Sequence, residues 1–440
     1  MTDTIFALST PPGKSGIAVV RTSGPESFPV AEALAGKTVP VRTPALRSLR
    51  EPIGGELIDH ALLLAFEGPA SFSGEDIVEY HVHGGPAILA ALFEAFATFD
   101  NLRPADPGEF SRRAFENGKL DLTQIEGLAD LIDAETTEQR RQALRSYDGA
   151  LFSRIEDWRA QILQALALAE ARFDFADEGE ITDSLDQDVI DRIHTLHAEI
   201  KSVLDDNRLG ERIRNGMRIV IAGPPNVGKS TLLNALVQRD AAITSPIPGT
   251  TRDVIEVGLD IGGFAIRLVD TAGLHATADP VEQEGLRRAQ REILDADLIL
   301  WVSDTQEGLT PPGFDTRAPV WPILGKADIQ QRVGRQGEAG RPQATLSAKT
   351  GEGLGALTDS LMAFAGANQK ELPIITRARH RQCISEMAGY LATFLGSDTA
   401  PDDVRTESLR LAADCLGRLT GRIDVENVLD TIFSSFCIGK

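Results

Sequence analysis

The spacing of hydrophobic residues changes along this chain, and the changes predict its organisation. Residues 1–118 carry short apolar runs, such as Thr4–Leu8 and Asp76–His83, which predict strands, while Ala87–Phe93 predicts an amphipathic helix. Further on, apolar residues recur every three or four positions, as in helices, at Leu151, Ile155, Trp158 and Ile162, at Val189, Ile193, Leu196 and Ile200, and, past Pro373, at Leu409, Ala412, Leu416 and Leu419. The pattern predicts a small α+β domain and two helical segments that flank a different unit.

The unit between the helical segments begins with a strand, a glycine-rich loop and a helix. Met217–Ala222 is typical of a buried strand and Thr231–Val237 of a helix. Between them, Gly223-Pro-Pro-Asn-Val-Gly-Lys-Ser230 fits G-x-x-x-x-G-K-[ST], the phosphate-binding loop, in the context that this motif needs. Backbone N–H groups of such a loop close around phosphate oxygens, and Lys229 would reach the β- and γ-phosphates.

Three later motifs follow the order found in Ras-like GTPases and indicate GTP. Asp270-Thr-Ala-Gly273 fits D-x-x-G, Gly325-Lys-Ala-Asp328 follows the apolar run Val320–Leu324, and Ser347-Ala-Lys349 completes the base site. The Asp328 carboxylate can accept two hydrogen bonds from guanine, a pair that adenine does not offer. The predicted GTP-binding residues are Asn226, Val227, Gly228, Lys229, Ser230, Thr231, Ser245, Pro246, Ile247, Pro248, Gly249, Thr250, Thr251, Asp270, Thr271, Ala272, Gly273, Lys326, Asp328, Ser347, Ala348 and Lys349.

The motifs supply ligands for Mg²⁺ but no group to orient the attacking water. The hydroxyls of Ser230 and Thr251 are predicted to bind Mg²⁺, and Asp270 would act through a water molecule. Many GTPases have a Gln directly after D-x-x-G that orients water, and this chain has Leu274 there. The catalytic group must therefore come from elsewhere in the chain.

The base-recognition motif departs from its usual form, N-K-x-D. Gly325 replaces the Asn that normally helps to hold guanine and braces the phosphate loop. Losing one or two such hydrogen bonds costs about 1–3 kcal/mol. We expect weaker GTP binding with an unchanged preference for guanine, because Asp328 supplies the discrimination.

Composition bounds the class of protein. At 440 residues, 42% of them apolar, the chain is long enough for about two to four domains. No stretch resembles a transmembrane span or a signal peptide, and three widely spaced cysteines are too few for a disulfide framework or a zinc site. These features favour a reduced, cytoplasmic setting without a membrane. The formal net charge of −21 means that an RNA substrate would need a local basic patch or a partner.

The predicted organisation is a multidomain α/β protein. It comprises an α+β domain over residues 1–118, the first part of a helical domain over 119–215, a Ras-like P-loop GTPase domain over 216–368, and the second part of the helical domain over 369–440. We expect the GTPase domain to be inserted into one helical domain, because neither helical half provides an ample core and domain termini usually lie close together. The alternative is two independent helical domains.

Several segments outside the GTPase motifs carry a family resemblance. These segments are similar to signatures of the MnmE (TrmE) family of tRNA modification GTPases. They are Thr4-Ile-Phe-Ala-Leu-Ser-Thr-Pro-Pro-Gly13, Ser71-Phe-Ser-Gly-Glu-Asp76, His83-Gly-Gly-Pro86, Pro107–Phe115 running into Asn117–Leu122, and the terminal Cys437-Ile-Gly-Lys440. The resemblance covers essentially the whole chain. The family belongs to the TrmE-Era-EngA-type GTPase superfamily.

The resemblance implies a reaction and partners that the motifs alone do not. Such a protein forms a homodimer, assembles with MnmG (GidA) into a heterotetramer, and installs a C5 aminomethyl or carboxymethylaminomethyl group on the wobble uridine, position 34, of certain tRNAs. Its N-terminal domain resembles folate-binding domains and would hold 5-formyl-tetrahydrofolate or a related tetrahydrofolate. By position in the motifs, Arg21, Glu79 and Lys119 would line that pocket, with Lys440 at the tail.

The resemblance also implies substitutes for the missing catalytic groups. Asn226 matches an Asn that helps to bind K⁺, and the cage would be completed by loop carbonyls at Ser245, Ile247 and Thr250. A cation there stabilises charge where an arginine finger would otherwise act. Glu282 matches the family's catalytic Glu, which orients water. From the residues alone Glu282 could equally be a solvated carboxylate, with other acids nearby.

Two other functions are open to a chain with these motifs. A GTP-switched ribosome-assembly factor shares the same GTPase core but would need an attached basic RNA-binding module, which this acidic chain does not show. A degenerate scaffold that does not hydrolyse GTP is suggested by Gly325, but Lys229, Ser230, Thr251 and Asp270 are intact. The motifs and the resemblance favour the tRNA-modifying enzyme.

Overall fold

The computed structural model describes residues 3–174, 179–206, 208–239, 241–243, 255–270, 290–311, 316–329, 342–366, 372–396, 402–423, 432–433, 436 and 439. The chain forms two compact units. The first comprises Met1–Ala129, Tyr147–Leu185 and Ser397–Lys440, and the second comprises Asp130–Ser146 and Asp186–Gly396. The domain boundaries expected from the sequence stay a prediction.

The strands and helices have the following bounds. The strands are Thr4–Leu8 (β1), Ser15–Ser23 (β2), Ala45–Arg50 (β3), Leu57–Phe66 (β4), Ile77–Gly84 (β5), Leu102–Pro104 (β6), Met217–Ala222 (β7), Ala241–Ile243 (β8), Ile255–Ile261 (β9), Phe264–Asp270 (β10), Leu298–Ser303 (β11), Val320–Leu324 (β12) and Ala344–Thr345 (β13). The helices are Ser27–Ala35 (α1), Pro86–Phe96 (α2), Glu109–Glu116 (α3), Leu122–Asp133 (α4), Thr137–Tyr147 (α5), Ala150–Asp174 (α6), Gly179–Leu204 (α7), Leu209–Asn215 (α8), Lys229–Arg239 (α9), Leu354–Ala365 (α10), Ala378–Gly396 (α11) and Asp402–Thr420 (α12).

The first unit contains a six-stranded sheet with the order β3-β4-β5-β2-β1-β6. Strands alternate apolar and polar residues, so one face of the sheet is buried against α1 and α2. Val20, Leu63 and Tyr80 are fully buried on that face. Arg21 and Glu79, two of the folate-site candidates, have the opposite orientation and lie on the other face.

Helices from before and after the GTPase motifs pack together in each unit. In the first unit α6 packs against α12, and Arg410 of α12 donates a hydrogen bond of 2.7 Å to Glu170 of α6. In the second unit Arg381 of α11 donates to Glu211 of α8 and to Asp206, both at 2.6 Å. Chain segments on both sides of the GTPase motifs thus pack together within each unit, as an inserted GTPase domain requires. Among the described residues no helix is both long and apolar enough to cross a bilayer.

The second unit contains a seven-stranded sheet with the order β13-β12-β11-β7-β10-β9-β8. The strands from β13 to β10 are parallel, and β9 and β8 add antiparallel neighbours at one edge. Strands buried on both faces form the core, in which Ile219, Ile266 and Leu300 are fully buried. The carboxyl ends of parallel strands meet at one edge of the sheet, where open α/β folds bind their ligands.

Candidate functional site

The phosphate-binding loop leaves β7 in a conformation that its sequence requires. Gly223 has φ 151°, and a Cβ added there would lie 2.1 Å from the carbonyl oxygen of Val302, so a side chain has no room. Asn226 and Gly228 adopt φ 60° and φ 103°, in the left-handed region that Gly and Asn tolerate best. The loop then enters α9 at Lys229, two residues before the predicted helix start.

Lys229 is held inside this loop. Its side chain is buried, and Nζ donates hydrogen bonds to the carbonyl oxygens of Gly223 at 3.0 Å and Pro224 at 2.8 Å. Burial lowers the pKa of Lys229 from its ordinary value, and the nearby Asp270 carboxylate opposes that shift. The Lys229 ammonium therefore donates to backbone carbonyl oxygens of the loop, and phosphate oxygens can replace these acceptors when a nucleotide binds.

Ser230 and Asp270 form the candidate Mg²⁺ site. The Ser230 hydroxyl, in the first turn of α9, donates a hydrogen bond of 2.7 Å to Oδ2 of Asp270, at the end of β10. Parallel pairing of β10 with β7 brings the two motifs to the same edge of the sheet. A hydroxyl and a carboxylate are hard oxygen ligands of the kind that Mg²⁺ prefers, so the residues present fit this ion.

The base-recognition residues lie beyond the ends of β12 and β13. Ser347 Oγ donates a hydrogen bond of 2.7 Å to Oδ1 of Asp328. This bond lowers the pKa of the Asp328 carboxyl, which is thus a pure acceptor at neutral pH. The Ala327 N–H donates to the carbonyl of Leu346 at 3.1 Å, which joins the two loops through the backbone as well. The structure therefore brings together the two separate motifs predicted to read guanine.

Lys326 has a partner that sequence reasoning missed. Its Nζ lies 2.7 Å from Oδ2 of Asp304, the residue that follows β11. Since β11 and β12 pair in parallel with Ser303 opposite Leu324, their loops start side by side. The position of Asp304 just after an apolar strand that adjoins β12 is the sequence signal that could have identified it.

The N-terminal unit brings two of the folate-site candidates into contact. Arg21 and Glu79 lie opposite each other on β2 and β5, and Arg21 donates to Oε1 of Glu79 from Nε at 3.1 Å and Nη2 at 2.7 Å. The guanidinium also lies 5.9 and 5.8 Å from the ring centroids of Phe72 and Phe110. Lys119 donates from Nζ to the carbonyl of Pro69 at 3.0 Å. The result is a carboxylate and a guanidinium beside apolar rings.

Many of the predicted site residues fall outside the described residues, and they stay predictions. They are Ser245, Pro246, Ile247, Pro248, Gly249, Thr250, Thr251, Thr271, Ala272, Gly273, Glu282 and Lys440. Within the described residues, the candidate nucleotide site comprises the phosphate loop, Asp270 and the two base-recognition loops.

Comparison with known proteins assigns the family. Residues 4–119 match the family model described as the GTP-binding protein TrmE N-terminus, and residues 122–437 match the MnmE helical domain. The chain belongs to the MnmE family. A tRNA modification GTPase MnmE of Rhodopseudomonas palustris (strain BisB5) is 48% identical over 99% of both chains. Another from Beijerinckia indica subsp. indica is 48% identical over 100% of this chain and 96% of the relative.

Membership of the MnmE family makes this chain a GTP-hydrolysing enzyme. It confirms the resemblance drawn from the N-terminal and C-terminal signatures, and with it the fold class of α+β, helical and inserted GTPase domains. The G domain of the T. maritima FeoB iron transporter is 24% identical in sequence, and the match covers 34% of this chain and 98% of that domain. Its TM-score is 0.24, and we base no argument on it.

Proposed function

We propose that this member of the MnmE family uses GTP hydrolysis to modify C5 of the wobble uridine, position 34, of certain tRNAs. The group added is aminomethyl or carboxymethylaminomethyl, and its one-carbon unit comes from a tetrahydrofolate. MnmG is the partner, in a heterotetramer with a homodimer of this chain, and a reaction on tRNA implies a cytoplasmic location. The observation that carries the proposal is full-length similarity to proteins named tRNA modification GTPases, together with an intact phosphate site.

The nucleotide site supports the hydrolytic half of the proposal. Ser230 and Asp270 provide oxygen atoms for Mg²⁺, and Thr251 is the expected further ligand. An ion held by these residues would supply positive charge that stabilises the negative charge of the phosphate groups. The side chain of Asn226 is exposed on the loop, so its amide oxygen is open to a monovalent cation such as K⁺. Glu282 stays the proposed water-orienting residue.

The N-terminal site supports a folate as the one-carbon carrier. A pterin is flat, offers an amide and amine edge, and is joined to a tail that carries carboxylates. The Glu79 carboxylate suits that edge, the partly exposed Phe72 ring suits a flat molecule, and the Arg21 cation suits a carboxylate. Lys119 and Lys440 are the proposed further cations of this pocket.

The outer face of the N-terminal sheet supports a homodimer. Leu46 of β3 pairs with Leu62 of β4, and their side chains are 70% and 39% exposed. Large apolar side chains grouped on an exposed sheet face are typical of surfaces that another chain covers. We assign this face to the second copy of the chain.

The proposal is tested by nucleoside analysis of tRNA. A strain that lacks this protein should lose the C5 group at position 34, and the wild-type gene should restore it. The Lys229→Ala variant, which removes the cation that contacts the phosphates, should not restore it. Unchanged wobble uridines in the deletion strain would refute the proposal.

A further inference from the structure

The base-recognition loop of this chain lacks a side chain at Gly325, and the structure shows what that side chain would reach. A Cβ added at Gly325 would lie 3.5 Å from the carbonyl oxygen of Val227 in the phosphate loop and 3.6 Å from that of Ser303. Both are ordinary van der Waals distances, and Gly325 is not in the left-handed region. An Asn therefore fits here, with its amide close enough to donate to Val227. Gly325, having no side chain, cannot supply such a side-chain brace between the two loops.

An ion pair ties the same loop to the neighbouring strand instead. Asp304 follows β11 and Lys326 follows β12 by two residues, and Nζ of Lys326 lies 2.7 Å from Oδ2 of Asp304. The hydrogen bond from Lys326 lowers the pKa of the Asp304 carboxyl, so the carboxyl is ionised at neutral pH. The Gly325 N–H also donates to the Ser303 carbonyl at 2.8 Å. The two loops are thus linked by a backbone hydrogen bond and, at the next residues, by a side-chain ion pair.

Lys326 is constrained at both ends of its side chain. Its backbone has φ 55°, a left-handed conformation that is uncommon for a residue other than Gly, Asn or Asp and that often marks functional sites. At the other end the ammonium is held by Asp304. A Lys side chain is otherwise among the most flexible, and ordering it before a ligand arrives reduces the entropic cost of binding.

We propose that Asp304 is a positioning residue for the guanine nucleotide, which holds Lys326 and the loop of Asp328 in place of the brace that Gly325 does not provide. The two side chains are 36% and 35% exposed, and exposed ion pairs contribute little to folding. The effect of Asp304 should therefore appear in nucleotide affinity and not in the stability of the fold.

A double-mutant cycle tests this compensation. The dissociation constant for fluorescent GDP is measured for the wild type, Asp304→Ala, Gly325→Asn and the double variant. In the wild-type background Asp304→Ala should raise the dissociation constant for GDP by about five- to tenfold. An effect of this size lies within the range of interaction energies measured between residues in contact. In the Gly325→Asn background the same change should cost less than about twofold, because the restored amide braces the loop. Equal losses in both backgrounds, or none in either, would overturn the proposal.

Controls separate positioning from damage to the fold. Asp359→Ala removes an exposed carboxylate from α10 of the same unit and should leave GDP affinity unchanged. Asp304→Glu keeps the charge and should recover most of the affinity, whereas a failure to do so would count against the ion pair. If Asp304→Ala does not fold, the isosteric Asp304→Asn takes its place in the cycle. A wild-type protein that binds no GDP would contradict the GTPase assignment itself, which is a different outcome.

Discussion

The hydroxyl of Ser9 donates a hydrogen bond of 3.2 Å to the carbonyl oxygen of Gly439, 430 positions further along the chain. Gly439 has φ 96°, and a Cβ added to it would lie 2.3 Å from the carbonyl oxygen of Leu8. Phe433 and Phe436 anchor the preceding residues in a cluster with Leu122 and Ile125. Gly439 therefore lies against the end of β1, the strand in which Ala7 pairs with Arg21 of β2.

Displacing the tail should abolish tRNA modification without affecting GTP hydrolysis. Gly439→Ala introduces both a clash with the Leu8 carbonyl and an unfavourable φ, and deletion of residues 437–440 removes the contact altogether. Either change should leave GTP affinity and intrinsic turnover within about twofold of wild type, because Gly439 belongs to the first unit and the phosphate and base-recognition loops belong to the second, and independent sites affect each other little. The measurements are wobble-nucleoside analysis in cells and GTPase assays on purified protein.

Gly389→Ala is the matched control for the tail, because Gly389 lies within α11 and a Cβ there meets nothing within 4 Å. That variant should behave as the wild type in both assays. If Gly439→Ala or the truncated protein modifies tRNA normally, the tail has no part in the N-terminal site. Loss of GTP hydrolysis in the truncated protein would equally contradict the assignment.

Potassium dependence should reside in the amide of Asn226. At φ 60° a Gly keeps the loop conformation while it removes the amide, whereas an Ala also adds backbone strain. Asn226→Gly should therefore hydrolyse GTP slowly and at the same rate in potassium and sodium chloride, while wild type should be at least about tenfold faster in potassium, as expected when a charge-stabilising group is lost. Equal wild-type rates in the two salts would exclude the cation mechanism.

Replacing Asp328 should change which base is bound. In Asp328→Asn the hydrogen bond from Ser347 can be retained, but the new amide donates where guanine also donates. GDP affinity should fall by at least about tenfold, the effect of one lost charged hydrogen bond, and xanthosine diphosphate should bind more tightly than GDP. Competition between the two nucleotides for a fluorescent analogue measures the preference. A variant that still prefers GDP would show that other groups read the base.

Local motifs were predictable because their backbone needs specific residues. Gly223 has no room for a Cβ, and the bounds Met217–Ala222 and Val320–Leu324 follow from apolar runs, of which Met217–Ala222 is almost entirely buried. The predicted start of α9 at Thr231 is two residues too late, because Lys229 and Ser230, the last residues of the loop motif, already form the first turn of the helix.

The remaining features depend on tertiary contacts that no local pattern encodes. The pairing of Asp304 with Lys326, 22 positions apart, arises from the adjacency of β11 and β12, and although Asp304 follows an apolar run, the run alone does not say which strand lies beside it. The helix α3 was missed inside the α+β region because it is rich in charged residues, and its buried Glu109 and Arg113 form ion pairs with residues outside the helix that only the tertiary structure brings near. The position of Gly439 beside Leu8 was expected only from the family resemblance.

The last prediction concerns acid stability of the N-terminal unit, which contains a buried ion-pair network around Glu109. Arg103 donates to Oε1 of Glu109 at 2.6 Å, Arg113 donates to the same atom at 3.0 Å, and the Asp106 N–H donates to Oε2 at 2.9 Å. Arg113 is itself fully buried in this network. Burial alone would raise the pKa of Glu109, but these hydrogen bonds, that from Arg103 first, lower it below its ordinary value of 4.5.

Glu109 binds its proton less tightly in the folded state than in the unfolded state. The ionised carboxylate therefore stabilises the folded state above the ordinary pKa of 4.5, and this stabilisation is lost as the pH falls through the lower pKa of the folded state. At pH 7 Glu109→Gln should lower the local free energy of unfolding by about 1–3 kcal/mol, the cost of weakening charged hydrogen bonds. Hydrogen exchange in peptides from α3, followed against urea concentration, measures this quantity. The difference in unfolding free energy between variant and wild type should begin to narrow below the ordinary pKa of 4.5 and should close as the pH falls through the lower folded pKa, where the Glu109 carboxyl is protonated and neutral like Gln. Glu116→Gln, which removes an exposed carboxylate from the same helix, should show no comparable gap at any pH. A Glu109→Gln gap that stays constant down to pH 3 would show that the ionised carboxylate is not what stabilises this network.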